Sequence, residues 1–121
     1  MNSTIANQFQ RWNNALLTED PKKVAALYAP HAILLPTVSN QVRTTNEQIE
    51  DYFTKFLKLR PKGKIDEQHV RILDQNHAIN SGIYTFSLND KQSVQARFTF
   101  VYQKINGKWF IIEHHSSKMP E

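Results

Sequence analysis

The chain has 121 residues, 40% hydrophobic and 21% charged, with a formal net charge of +4 at pH 7 and no cysteine. That length is one domain, residues 1–121, burying roughly two-thirds of the surface its unfolded form exposes. The missing cysteine excludes disulfides, thiolate metal sites and cysteine nucleophiles. The first twenty residues hold no apolar run long enough for a signal peptide or membrane helix. The expectation is a cytoplasmic protein with no membrane partner, and a processed secreted form stays compatible with it. Basic residues are scattered, with one loose group at Lys55, Lys58, Arg60, Lys62 and Lys64. That group reads as a solvated helix end, and no nucleic-acid-binding motif accompanies it.

In chain order, Ile5, Phe9, Trp12 and Leu16 recur at spacings of four, three and four, which predicts an amphipathic helix over residues 3–17. Asp20-Pro21 supplies an N-cap and a first-turn proline for a short second helix. Val24, Leu27 and Tyr28 would be its buried face, and Pro30 would stop it. AILLPTV, from Ala32, reads as a buried strand with Pro36 marking a bulge or edge. A third helix starts near Thr45, where Thr45 and Gln48 match a capping box. Ile49, Tyr52, Phe53, Phe56 and Leu57 give it an apolar face, and Pro61-Lys62-Gly63 ends it. Strands then follow at about 64–74 and 78–89, with Gly82 expected to mark a bulge. Helices first and long antiparallel strands after them indicate an α+β fold: three N-terminal helices on a strongly curved, mostly antiparallel sheet. A bent sheet closed by helices makes a cone whose mouth leaves a pocket unless large side chains fill it.

The stretch from Val94 to Ser117 is a hairpin turning at Asn106-Gly107, since both residues tolerate positive φ. Phe98, Phe100 and Tyr102 alternate with Arg97, Thr99 and Gln103, so one face of the first arm is apolar. The second arm has two readings. A two-residue loop pairs Ile105 with Lys108 and sets Glu113 opposite Phe100. A three-residue loop with a bulge at Gly107 pairs Lys104 with Lys108, and turns Phe110, Ile112, His114 and Ser116 towards the Phe98 face. A buried carboxylate without a cation is costly, which favours the second register. On it His114 faces the cavity, while His115 points outward opposite Arg97 with Glu113 nearby.

The order of elements, with GKW followed by an aliphatic pair and HHSS, resembles the nuclear transport factor 2-like superfamily. Within it the chain is similar to small bacterial proteins related to the association domain of calcium/calmodulin-dependent protein kinase II. RWNNALLTEDPKKVAALYAPHAILLPTVSN, ARFTFVYQKINGKWFIIEHHSS and the closing Met119-Pro120 carry the resemblance. It implies a cone-shaped subunit that dimerises through the outer face of its sheet, and kinase hubs of this kind assemble further into rings. The chain has no Gly-rich phosphate loop and no HRD or DFG, so the resemblance does not extend to kinase activity. Counted from GKW, two positions that hold anion-binding arginines in the kinase hub hold Phe100 and Ser116 here. Polyketide cyclases of the superfamily place an acid/base aspartate at the position of Phe100. A phenyl ring transfers no proton, so neither chemistry carries over.

The candidate ligand pocket is therefore Trp12, Tyr28, Tyr84, Phe98, Phe100, Tyr102, His114 and Ser116, with core packing the alternative for its aromatic members. Arg97, Trp109, Glu113 and His115 are the candidate dimer interface. Adjacent histidines on one strand face opposite sides, so HHSS cannot chelate one metal through both. His31, His69 and His77 lie in separate segments without ligand spacing. No carboxylate is placed to orient a Ser–His pair inside the cavity, which disfavours a catalytic triad. The expected function is a non-catalytic oligomerisation and ligand-binding module. It would need no cofactor or metal, would pair with itself, and would hold a small, mostly apolar ligand with one polar group. A small isomerase, cyclase or dehydratase using His114 with a tyrosine is the alternative.

Overall fold

The computed structural model describes residues 2–37 and 39–120. Helix α1 (Asn2–Leu17) buries the expected stripe of Ile5, Phe9, Trp12 and Leu16. Helix α2 (Pro21–Ala25) is capped by Asp20, whose carboxylate accepts from the Lys22 N–H at 2.9 Å. It ends three residues earlier than its apolar pattern suggested. Tyr28 and Pro30 belong instead to strand β1 (Tyr28–Leu35), which starts ahead of Ala32. Proline is tolerated there because β1 is an edge strand, and Pro30 falls in the irregular stretch between Tyr28 and Ile33. The strand closes before Pro36; Val38, the end of the expected strand, lies outside the described residues.

Thr45 caps helix α3 (Asn46–Phe56) by accepting from the Gln48 N–H at 3.1 Å. The reciprocal bond of the expected capping box is displaced by one residue. The Gln48 side chain accepts from Thr44 N–H at 2.8 Å rather than from the cap itself. A 3-10 turn (Leu57–Leu59) continues α3, and Arg60 terminates it in the left-handed region at φ 49°. Behind α3, Arg43 is only 5% exposed. It bonds Asp51 at 3.1 Å and the Gln48 carbonyl at 3.2 Å, while its backbone bridges Leu34. This ties the helix to the end of β1.

The remaining strands are β2 (Lys62–Asp74), β3 (His77–Leu88), β4 (Gln92–Ile105) and β5 (Lys108–Lys118). The sheet order is β1-β5-β4-β3-β2, antiparallel except for the β1–β5 pair. Gly82 pairs regularly with Phe98, so it is not itself bulged. The bulge lies across from it, between Ile65 and Glu67 of β2. A Cβ at Gly82 would stand 2.0 Å from the Glu67 carbonyl oxygen, so glycine is required for that close approach.

The β4–β5 hairpin corrects the expected register. Asn106 and Gly107 both take positive φ, 51° and 82°, as a two-residue type I′ turn demands. Ile105 therefore pairs with Lys108 and Tyr102 with Ile111. Near the turn it is Ile111 that is buried, with Trp109 packed against the core, while Phe110 and Ile112 are half-buried. One extra residue in β5 then shifts the ladder: Val101 pairs with Glu113, Phe100 with His114 and Phe98 with Ser116. The bulge flips the strand's parity, so His114 and Ser116 point inward and Glu113 is exposed without facing Phe100. His115 consequently sits opposite Thr99, and Arg97 opposite Ser117.

Candidate functional site

Four elements meet around His114. Helix α1 delivers Trp12, β1 Tyr28, β3 Tyr84, and β4 the ring of Phe100. The Phe100 ring stacks on the imidazole with centroids 4.1 Å apart, and the Trp12 ring meets it edge-on at 5.5 Å. Trp12 Nε1–H donates to Tyr28 Oη at 3.1 Å, and Tyr28 Oη lies 2.8 Å from His114 Nδ1. On the other side His114 Nε2 is 3.3 Å from Tyr84 Oη, and the Tyr84 hydroxyl donates to Ser116 Oγ at 2.6 Å. Ser116 also bonds the Thr37 hydroxyl.

The direction of this chain follows from its first link. Indole N–H can only donate, so Tyr28 Oη accepts there and sends its own proton to Nδ1. The opposite choice would strand a hydroxyl proton in the core. His114 thus carries its hydrogen on Nε2 and donates it to Tyr84. Burial of the ring, 3% exposed, lowers the His114 pKa to about 3, with a small contribution from His115. Burial also raises the Tyr28 and Tyr84 hydroxyls above their ordinary value. All three groups are neutral at physiological pH.

Beside this chain lies a hollow with about 70 Å³ of room for the centres of water-sized atoms. That holds several waters, at roughly 10–15 Å³ each, or one compact organic molecule. Phe53, Phe56 and Leu59 wall it on the α3 side, with Phe86, Leu88 and Val94 on the sheet side. Its polar end is Thr37, Tyr84, His114 and Ser116, and the Tyr52 ring closes one flank. The Tyr52 hydroxyl is pushed by burial to about 12. Among the described residues no lysine, arginine, aspartate or glutamate contributes to the wall.

Of the eight expected pocket residues, Trp12, Tyr84, His114 and Ser116 line this hollow. Tyr28, Phe98, Phe100 and Tyr102 are buried outside its wall. Phe100 packs between Phe98 and Tyr102 and against Phe9 of α1, and Tyr28 packs on Phe53 and His114. The aromatic floor that alternation suggested is solid core. The opening lies further along β4, where Ala96, 2% exposed, replaces an aromatic ring with a methyl group. Thr37 and the α3 aromatics were not anticipated in the site. Ala96 was the available signal, as a small residue in an otherwise bulky inward series. Of the expected interface residues, Arg97, Glu113 and His115 are exposed. Trp109 is half-buried and packs against the core beside Leu27, Tyr102 and Ile111. Among the described residues no cluster of three His, Asp or Glu side chains is arranged to hold a metal, and no helix is long and apolar enough to cross a membrane.

A cone of three helices on a curved mixed sheet, with its hollow at the β4–β5 end, defines the nuclear transport factor 2-like fold. Solved structures bear this out. An NTF2-like protein of Pseudomonas putida superposes with TM-score 0.84 at 17% identity, over 96% of this chain and 84% of that one. A ketosteroid isomerase-like protein of Erwinia carotovora superposes with TM-score 0.78 at 14% identity, over 99% and 97%. The family model for the calcium/calmodulin dependent protein kinase II association domain matches residues 1–120, and the chain belongs to that family. A Xanthomonas campestris structure described by the same association domain is 56% identical, with TM-score 0.95, over 98% of this chain and 87% of that one. No curated protein sequence matches it.

Proposed function

We propose that this protein is a non-catalytic module that pairs with copies of itself and holds a small, mostly apolar ligand at the His114–Ser116 end of its hollow. The observation that carries the reading is a hollow walled largely by hydrocarbon, with the hydrogen-bonded groups of Thr37, Tyr84, His114 and Ser116 gathered together in its wall, the usual make-up of a small-molecule site. Membership of the association-domain family supports self-assembly. On the outer sheet face Arg97, Glu113 and His115 are exposed around the half-buried Ile79, Ile83 and Val101, a mixture that suits a homodimer contact.

The enzyme alternative asks His114 and a tyrosine to exchange a proton near neutral pH. A histidine lowered to about 3 holds a proton too weakly, and tyrosines raised by burial hold theirs too tightly. A binding role is the better fit. Light scattering coupled to size-exclusion chromatography tests assembly, with a dimer or larger species expected; a monomer at micromolar concentration defeats that half of the reading. A thermal-shift screen of small aromatic compounds tests the other half, since a ligand of the folded state raises the melting temperature.

A further inference from the structure

The hydrogen-bond chain from Trp12 has a consequence at its far end. Each link passes one hydrogen outward: Trp12 to Tyr28, Tyr28 to His114, His114 to Tyr84, Tyr84 to Ser116. Ser116 therefore receives, and with Thr37 forms a pair of hydroxyls that holds two hydrogens and shares one bond. Thr37 donates to Ser116, so the hydrogen left over is that of Ser116, and no described residue accepts it. Ser116 is 9% exposed and both hydroxyls line the hollow. A buried donor without an acceptor is costly, so the Ser116 hydrogen is available to a molecule in the hollow.

We infer that the hollow selects an uncharged, compact, largely apolar molecule bearing a hydrogen-bond acceptor, typically a carbonyl, that meets the Thr37–Ser116 hydroxyl pair. The inference rests on the ligand-binding reading above and sharpens it. A cationic or donor-only head group would find a hydrogen already pointing at it. A carboxylate would enter a wall to which no described residue brings a cation, at a large desolvation cost. A pure hydrocarbon would fill the space and leave the surplus donor unpaired.

Three molecules of nearly one shape separate these cases: acetophenone, ethylbenzene and protonated 1-phenylethylamine. Each is titrated into the full chain and read by the amide NMR resonances of Val94 and Ala96. Acetophenone should bind about fivefold tighter than ethylbenzene, the factor a net neutral hydrogen bond supplies, and the amine weakest. In the double variant Thr37→Val, Ser116→Ala the ketone and the hydrocarbon should bind alike. Ethylbenzene matching or exceeding acetophenone overturns the acceptor inference while leaving the hollow as a ligand site. So does a ketone preference that survives in the double variant. If none of the three perturbs these resonances, the ligand-binding reading itself falls. Should the double variant fail to fold, the series on the unaltered protein decides alone.

Discussion

His114 shows how much one side chain's environment depends on distant chain. Its inward orientation was expected from the cost of burying Glu113, on a register that the structure reaches only through the bulge in β5. Its partner Tyr28 lies 86 residues away in a segment expected to be helical. Burial holds its pKa near 3 in the folded state, against about 6.5 when unfolded. Below pH 6.5 the unfolded chain binds a proton that the folded chain does not. The stability His114 contributes is therefore complete above about pH 6.5 and falls by about 1.4 kcal/mol per pH unit towards about pH 3. The carboxyls of Asp51, Asp66 and Asp74 are held below their usual range by hydrogen bonds from Arg43, Thr85 and the Asn76 N–H respectively. Their acid sensitivity sets in only below about pH 5, so the window above it reports on the histidine. Urea denaturation should show the midpoint dropping from about pH 6.5 to about pH 5, with a flatter profile in His114→Gln. A flat profile in the unaltered protein would mean that the ring charges in place.

At the scale of elements, the helices were read from near neighbours and the sheet was not. Apolar spacing and the Asp20 and Thr45 caps placed α1, α2 and α3 within a few residues, because i, i+3 and i+4 contacts are local. The hairpin turn was visible in Asn106-Gly107, but a uniform ladder could not satisfy both of its ends. The type I′ turn requires Ile105 opposite Lys108, and burial of His114 and Ser116 requires the other parity. A bulge in β5 reconciles them, and nothing in WFII announces it. Gly82 carries the same lesson in reverse, being conspicuous in sequence for a bulge that sits on the neighbouring strand. Gly82→Ala should destabilise by about 2 kcal/mol or more, because the new methyl meets backbone that cannot swing aside. Denaturant titration of the variant measures this, and a neutral result would show that the β2 bulge relaxes freely.

For the whole molecule, the cone and its family were evident from the order of elements and the GKW-to-HHSS stretch, whereas the position of the hollow was not. Ala96→Leu tests where the opening is. The larger side chain has empty space to enter, so stability should change by less than about 1.5 kcal/mol. Binding of acetophenone should fall by at least about tenfold, as judged by NMR titration of folded variant. Loss of stability with binding intact would place the ligand elsewhere.

Sequence alone determined the helical stripes, their caps, the hairpin turn and the inward aromatic series of β4, because each rests on residues a few positions apart. Only the tertiary structure decided that β1 takes Tyr28 from the second helix and that β5 changes parity midway. It also decided that Phe9 and Trp12 of α1 pack over Phe100 while Tyr84 covers Phe98, leaving the space beside Ala96 open. Those outcomes depend on side chains from four elements competing for one volume, and that competition is settled by close packing across the sheet rather than by any local pattern.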